Sequence, residues 1–144
     1  MISIAVVEDD QEYQKQLLQY IEQYGKEQKA QYKITVFQNG MNFLDDYKGD
    51  CDLIFMDIAM PHMDGLETAA ALRKRGDNTC LIFITSMAQY ALKGYEVNAF
   101  DFLVKPLAYE LFCIKFLDGI KVNFDNLFWR EQVGIRHISK KISG

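Results

Sequence analysis

Residues 52–57 of this chain have the sequence Asp-Leu-Ile-Phe-Met-Asp, and residues 58–65 continue it as Ile-Ala-Met-Pro-His-Met-Asp-Gly. Four consecutive apolar residues, followed closely by the turn-forming pair Asp64 and Gly65, predict a short strand that is buried on both faces. Asp57 stands at the carboxyl end of this strand. In an open α/β sheet, ligands bind in the crevice at the carboxyl ends of the strands, so we expect Asp57 to lie in a binding crevice. The alternative is that Asp57 caps a loop, as acidic residues often do.

Polar residues also follow three other short apolar runs. Residues 2–7 lead into Glu8-Asp9-Asp10, residues 81–84 lead into Thr85, and residues 100–104 end in Val104 before Lys105. If the four runs are parallel neighbours in one sheet, the acids, the hydroxyl and the lysine all converge on the same crevice.

Helical patterns separate these runs along the chain. An amphipathic pattern covers residues 11–28, a short helix is predicted around residues 43–47, and further helices are predicted at 65–76, 87–95 and 107–121. A further strand is predicted at 34–37. Parallel strands need such helical crossovers, and right-handed crossovers place helices on both faces of one sheet. We therefore predict an α/β fold with a doubly wound five-stranded parallel sheet, in the flavodoxin-like order 2-1-3-4-5, and helices on both faces.

Composition is that of a single globular domain. The 144 residues are 49% hydrophobic and 25% charged, with a net charge of −4 at pH 7. A net negative charge gives this chain no electrostatic reason to bind DNA by itself. Its apolar runs fall well short of the roughly 18 residues of a membrane span, and the chain enters a strand at once. We expect no membrane association and a cytoplasmic location.

The predicted domain organisation has two parts. Residues 1–121 complete the alternating pattern, and residues 122–144 depart from it while remaining rich in apolar residues. We predict that the second stretch is a linker or the start of a C-terminal output domain that this chain lacks. The alternative is an added element that packs on the first domain or on another chain.

The predicted crevice has the chemistry of a metal site. Glu8, Asp9 and Asp57 would bring three carboxylates together, and like charges at such distances repel each other unless a cation binds between them. Oxygen ligands favour Mg²⁺, with Mn²⁺ as a possible substitute. A metal beside a carboxylate nucleophile, Lys105 and Thr85 is suited to phosphoryl transfer. Neither glycine-rich phosphate-binding motif occurs in the chain, which disfavours nucleotide binding.

Four motifs together resemble a known family. They are residues 6–10 (Val-Val-Glu-Asp-Asp), 55–65 (Phe-Met-Asp-Ile-Ala-Met-Pro-His-Met-Asp-Gly), 84–86 (Ile-Thr-Ser) and 101–106 (Asp-Phe-Leu-Val-Lys-Pro). Their order and spacing over residues 1 to about 120 are similar to the CheY-like receiver domain of bacterial two-component response regulators. Residues 91–106 are further similar to receivers that precede a LytTR DNA-binding domain.

The resemblance implies a role for each polar residue of the predicted crevice. Asp57 would accept a phosphoryl group from a sensor histidine kinase, so that the chain is a signalling switch rather than a turnover enzyme. Mg²⁺ would be held by Glu8, Asp9, Asp57 and the backbone carbonyl of Ala59. Thr85 would be the switch hydroxyl, Phe102 the switch aromatic and Lys105 the phosphate-binding cation. The bond between Lys105 and Pro106 is often cis in this family.

The resemblance also implies a response at a distance from Asp57. Phosphorylation would draw in Thr85, Phe102 would turn, and the surface of the fourth helix, fifth strand and fifth helix would change. We expect this surface to form a homodimer, with DNA contacted and transcription regulated only through the missing output domain. Aromatic residues such as Tyr90, Tyr95, Tyr109 and Phe112 would contribute to it, although core packing explains helix aromatics at least as well.

Two other classes of function remain open. A magnesium phosphatase with an aspartyl phosphate intermediate would use the same nucleophile and metal. Such an enzyme needs a general acid near the nucleophile, whereas Ala59 stands two residues after Asp57. A phosphorylation-independent interaction module would neither bind Mg²⁺ nor be labelled at Asp57.

Overall fold

Five parallel strands form the centre of the molecule. The computed structural model describes the backbone of residues 1–133 and the side chains of residues 1–122. Within that part, the strands are β1 (Ile2–Val7), β2 (Tyr32–Phe37), β3 (Leu53–Asp57), β4 (Cys80–Thr85) and β5 (Asp101–Val104). Their order is β2-β1-β3-β4-β5, and all four pairings are parallel. The predicted sheet and its order are confirmed.

Helical segments connect the strands. In the described residues these are α1 (Gln11–Gln28), α2 (Gly40–Asp46), α3 (Gly65–Lys74) and α4 (Tyr109–Val133), with a 3-10 segment at Ala88–Val97 between β4 and β5. None of them combines the length and the apolar character that crossing a membrane would require.

Two apolar clusters cover the two faces of the sheet. Alternate residues of a strand point to opposite faces, so Ile54 and Phe55 of β3 belong to different clusters. α1 and α4 cover the face of Phe55, where Phe112 and Phe116 are fully buried. α2, α3 and the 3-10 segment cover the face of Ile54. β3 is buried along its whole length, as its apolar sequence predicts.

The strand register aligns the ends that carry the polar residues. Val7 of β1 lies beside Met56 of β3, so Glu8 and Asp57 come next on adjacent strands. Asp57 in turn lies beside Ile84, the residue before Thr85. Thr85 lies beside Val104, the residue before Lys105. The predicted convergence on one edge of the sheet follows from this register.

The short helix predicted at 87–95 is present, and it is a 3-10 helix that covers Ala88–Val97. Its N-cap residue, Met87, makes no side-chain capping hydrogen bond, and Gly94 lowers the helix propensity of the segment. The segment ends at Asn98, which adopts a left-handed conformation with φ 54°. Weak capping and a central glycine therefore favour tighter turns over a regular α-helix.

The last helix extends beyond its predicted end near residue 121. α4 continues to Val133, and the sequence has neither glycine nor proline between Gly119 and Gly134 to interrupt it. The predicted domain boundary at 121 thus falls inside α4. The assignment of residues 122–144 as a linker or the start of an output domain stays a prediction, and residues 134–144 lie outside the described part of the chain.

Candidate functional site

Three carboxylates meet where β1 and β3 end. One oxygen from each of Glu8, Asp9 and Asp57 lies within 4.8 Å of the others. Glu8 is fully buried and Asp57 is 2% exposed, whereas Asp9 is exposed. The three acids predicted to share a site are therefore together, with two of them shielded from water and the third open to it.

The turn from β1 into α1 fixes the positions of the acids that follow the first strand. The side chain of Asp10 caps α1 by accepting hydrogen bonds from the backbone N–H groups of Glu12 at 2.8 Å and Tyr13 at 3.4 Å. The N–H of Asp10 itself donates to Glu8 Oε2 at 3.1 Å. Asp10 thus acts as a helix cap, while Glu8 and Asp9 remain directed at the site.

The turn from β3 into α3 leaves room only for glycine at residue 65. A Cβ atom there would lie 2.2 Å from the carbonyl oxygen of Asp57 and 2.9 Å from Cα of Ile58. The N–H of Gly65 donates to the carbonyl of Ile58 at 2.8 Å. The N–H of Ala59 donates to Asp57 Oδ1 at 3.2 Å. This close approach of the backbone holds Asp57 in place.

Lys105 reaches the acids from the end of β5. Its Nζ lies 2.9 Å from Glu8 Oε1 and 3.5 Å from Asp57 Oδ1, and its side chain is only 10% exposed. The peptide bond between Lys105 and Pro106 is cis, as the resemblance implies. The ammonium also lies over the ring of Tyr13, 4.1 Å from its centroid.

Burial and the excess of acids over ammonium groups at this site both shift the pKa of Asp57. Burial is the main cause that raises the pKa of Asp57 to about 8, with hydrogen bonding to Glu8 and its negative charge adding to the effect. Lys105 opposes the shift. For Lys105 burial acts to lower the pKa, but the two carboxylates outweigh it and the net pKa is raised.

The donor set fits a hard divalent cation. Glu8 Oε1 is a buried oxygen that, among the described residues, accepts no hydrogen bond, although Lys105 lies close enough for an ion pair. Carboxylate oxygens with one side open to water suit Mg²⁺, and a divalent cation would relieve the repulsion among the acids. The residues that could hold it are Glu8, Asp9 and Asp57.

Thr85 ends the strand next to this cluster, Phe102 lies on β5, and both side chains contact other partners. The buried hydroxyl of Thr85 accepts a hydrogen bond from the N–H of Met87 at 3.0 Å and lies 3.2 Å from the Met87 carbonyl. Phe102 is half-buried, and Lys115 Nζ lies 4.5 Å from its ring centroid. Lys115 also pairs with Asp101 at 3.0 Å.

Comparison with known proteins agrees with this geometry. The model of the response regulator receiver domain matches residues 4–115. The chain belongs to this family. The receiver domain is 34% identical over 109 residues to the transcriptional regulatory protein PcoR of Escherichia coli, a match that covers 74% of this chain and 46% of PcoR. It is 30% identical over 110 residues to the sensory transduction protein LytT of Bacillus anthracis, with 76% of this chain and 44% of LytT covered. The chain spans less than half the length of these curated relatives.

Solved receiver structures share the fold. The response regulator TrrA of Thermotoga maritima, solved in complex with Mg²⁺-BeF, superposes with a TM-score of 0.70 at 27% identity, covering 83% of this chain and 99% of TrrA. The response regulatory domain of mrkE from Klebsiella pneumoniae has a TM-score of 0.74 at 25% identity, covering 86% of this chain and 99% of that domain.

The receiver site contains some of the predicted residues and adds others. Glu8, Asp9, Asp57 and Lys105 are brought together, and Ala59 contributes its N–H, whereas its carbonyl as a metal ligand stays a prediction. Thr85 and Phe102 contact other groups, which are the backbone of Met87 and the ammonium of Lys115. Sequence reasoning missed two further participants, which are Tyr13 over Lys105 and Lys115 over Phe102. The position of Tyr13, one helical turn after the acidic pair, was the signal in the sequence that could have placed it near the site.

Proposed function

We propose that this receiver domain is a Mg²⁺-dependent phosphoacceptor switch in which Asp57 accepts a phosphoryl group from a sensor histidine kinase. The observation that carries the proposal is the buried carboxylate of Asp57, 3.5 Å from the ammonium of Lys105 and beside the oxygens of Glu8 and Asp9. A nucleophile with an adjacent cation and a set of metal-binding oxygens is the equipment that phosphoryl transfer uses.

The chemistry follows from where these groups lie. An oxygen of Asp57 attacks phosphorus and forms a P–O bond, while the bond from phosphorus to the donor nitrogen breaks and its electron pair stays on the imidazole. Lys105 offers positive charge to the phosphoryl oxygens. Bound Mg²⁺, held by Glu8, Asp9, Asp57 and the carbonyl of Ala59, would neutralise the negative charge of the acids and the phosphoryl group.

The product is retained rather than turned over. Ala59, two residues after Asp57, carries no group that can donate or accept a proton, so nothing at that position activates water against the acyl phosphate. The proposed role is thus that of a switch and not of a phosphatase.

The proposed conformational response runs through Thr85. Its hydroxyl exchanges the backbone of Met87, its present partner, for a phosphoryl oxygen, and this exchange shifts the start of the 3-10 segment. A cavity of about 220 Å³ lies between the 3-10 segment, β4 and β5, with Phe102 in its lining. We propose that the ring of Phe102 turns into this space.

The surface that responds would join two copies of the chain. It comprises the 3-10 segment, β5 and the first turns of α4, where Leu92 is 72% exposed, Tyr95 78% and Leu111 44%. We propose that phosphorylation turns this surface into a homodimer interface, since apolar side chains at such exposure gain from being covered.

The output proposed for the whole protein is transcriptional. Residues 91–106 are similar to receivers that precede a LytTR DNA-binding domain, and the similarity to LytT supports that class. DNA would be contacted by an output domain outside this chain. The chain itself has a net charge of −4, which does not favour binding to DNA. We further propose a cytoplasmic location.

Labelling with acetyl phosphate tests the proposal. Intact-mass spectrometry of the wild type with Mg²⁺ should show one stable added phosphoryl group, and none after chelation of the metal or in Asp57→Asn. Asp45→Asn is the matched control, because it removes an exposed carboxylate on α2 and should label normally. Labelling that persists in Asp57→Asn would rule out the assigned acceptor. Rapid multiple turnover of acetyl phosphate would favour the phosphatase instead.

Size-exclusion chromatography of the same samples tests the dimer. Labelled wild type should elute earlier than unlabelled wild type, and Leu92→Gln should label equally while eluting as the smaller species. Equal elution of labelled and unlabelled wild type would contradict the proposed interface.

A further inference from the structure

The ammonium of Lys105 has a third neighbour besides its two carboxylates. Its Nζ lies 4.1 Å from the centroid of the Tyr13 ring, well within the distance at which a cation is attracted to an aromatic face. The side chain of Lys105 is 10% exposed, and Tyr13 is half-buried. Little water therefore competes with the ring for this side of the ammonium.

Tyr13 is itself held by the acidic end of β1. Asp10 accepts a hydrogen bond from the backbone N–H of Tyr13, and the N–H of Asp10 donates to Glu8 Oε2. Glu8 Oε1 lies 2.9 Å from Lys105 Nζ. The four residues thus form a closed series of contacts, in which the same turn that orients Glu8 also holds the backbone of Tyr13, whose ring lies over Lys105.

The carboxylates alone do not direct the ammonium at Asp57. Glu8 Oε1 is closer to Lys105 Nζ than Asp57 Oδ1 is, at 2.9 Å against 3.5 Å. Both acids are also metal candidates, so a divalent cation competes with Lys105 for their charge. The ring of Tyr13 carries no net charge and no metal-binding carboxylate, and its attraction for the ammonium persists when the acids are engaged.

We propose that Tyr13 is a positioning residue of the receiver site, which holds the ammonium of Lys105 against its ring face so that this cation stays directed at the phosphoryl group on Asp57. The inference rests on the proposed phosphoacceptor function. A purely structural role for Tyr13 is the competing explanation, because its side chain also packs on the core cluster beneath α1 and α4. An apolar residue of similar bulk would fulfil that structural role.

The initial rate of labelling by acetyl phosphate with Mg²⁺ separates the two explanations. Tyr13→Phe keeps the aromatic face and should rescue the rate to within a small factor of wild type. Tyr13→Leu keeps apolar bulk and should lower the rate by about 2-fold to 30-fold, the span expected for a cation on an aromatic face from exposed to desolvated sites. Equal rates for Tyr13→Leu and wild type would overturn the inference.

A double-mutant cycle shows whether Tyr13 acts through Lys105. Lys105→Met removes the charge, and Tyr13→Leu should then cause no further loss, since the ring has no cation to hold. An additional loss of the same size in the Lys105→Met background would assign Tyr13 a structural role only. The coupling between the two residues is a readout that simple packing of Tyr13 would leave at zero.

Fluorinated ring analogues keep the test decisive if Tyr13→Leu fails to fold. Phenylalanine at residue 13 with increasing fluorine content keeps the ring shape and weakens its attraction for cations step by step. The labelling rate should fall with each step, and an unchanged rate would overturn the inference. Wild type that takes up no phosphate would instead refute the proposed function itself, so the two failures are distinguishable.

Discussion

The receiver domain has two neighbouring regions that differ in how tightly they are built. The carboxyl ends of β1 and β3 are closely packed, with Glu8 fully buried and backbone approaching so near at Gly65 that a methyl group does not fit. The region of the 3-10 segment and β5 is looser, with a cavity of about 220 Å³ below the segment and large apolar side chains in solvent. The reactive groups thus sit on a rigid frame, and the part suited to movement lies beside it.

The contrast has a physical cause in each region. Four of the five residues of β3 are apolar, and the strand gains stability from burial on both faces, which fixes the position of Asp57 at its end. The 3-10 segment turns only Gly94 and Val97 fully inward and leaves Leu92 and Tyr95 outside. A segment with few buried contacts opens at low free energy, which suits the two arrangements proposed for it.

Hydrogen exchange should show the largest difference between the two regions. Backbone amides of the 3-10 segment, Ala88–Val97, should exchange at least about 100-fold faster than those of β3, because local opening of the segment exposes little buried apolar surface. Amide exchange followed by mass spectrometry or NMR measures this ratio. Equal protection of the two elements would contradict the division into rigid and looser regions.

Adding one methyl group should lower the free energy of unfolding much more in the first region than in the second. Gly65→Ala places Cβ 2.2 Å from a backbone oxygen and should lower the free energy of unfolding by about 3 kcal/mol, because backbone has to move. Gly94→Ala meets side chains at 3.3 Å or more and should change it by less than about 1 kcal/mol. Denaturant unfolding measures both. A cost at residue 94 as large as that at residue 65 would show equally tight packing.

Removing the charge of Asp57 should stabilise the metal-free protein. The pKa of Asp57 is raised to about 8 in the folded chain, so the folded state binds its proton more tightly than the unfolded state does. The contribution of Asp57 to stability should then become less favourable as pH rises from about 4 to 8. Asp57→Asn should be more stable by about 1–3 kcal/mol near and above pH 8 and lose that advantage near pH 4. Thermal unfolding with a chelator present measures this, and an advantage independent of pH would contradict the stated cause.

The smallest expected effect is a difference between Asp9 and Asp10 in how much Mg²⁺ stabilises the protein. Mg²⁺ at ten times its dissociation constant should stabilise the wild type by about 1.4 kcal/mol. Asp9→Asn should abolish this stabilisation, because a carboxylate oxygen of the candidate metal site is lost. Asp10→Asn is the matched control, since asparagine caps a helix as well as aspartate does and Asp10 acts as the cap of α1. Equal stabilisation of both variants by Mg²⁺ would show that Asp9 is not a metal ligand.

The rigid region is also the one that the sequence predicts well. The order of strands follows from the alternation of apolar runs and amphipathic helices, and register then places Glu8 and Asp57 side by side. Burial drives both the pattern in the sequence and the packing in the structure, so each reports on the other. The same reasoning places Lys105 at the shared edge, where it is found.

The structure of the looser region is harder to predict from the sequence, because tertiary contacts decide its details. Periodicity distinguishes helix from strand but does not separate a 3-10 helix from an α-helix over ten residues, and caps and neighbours decide between them. The sequence also does not predict the contact of Lys115 with Phe102 in this region, nor that of Tyr13 with Lys105 at the acidic cluster, where the two residues lie far apart in the chain. Side-chain directions at such contacts are set by tertiary packing, which a single sequence does not display.

A crystal structure of the wild type grown with Mg²⁺ and fluoroberyllate would show whether Asp57 is the acceptor of a metal-dependent site. We expect beryllium bonded to an oxygen of Asp57, the metal held by carboxylates of the cluster, and Lys105 and Thr85 in contact with the fluorides. Fluoroberyllate bound at another residue, or a metal bound without Asp57, would refute the proposed acceptor site.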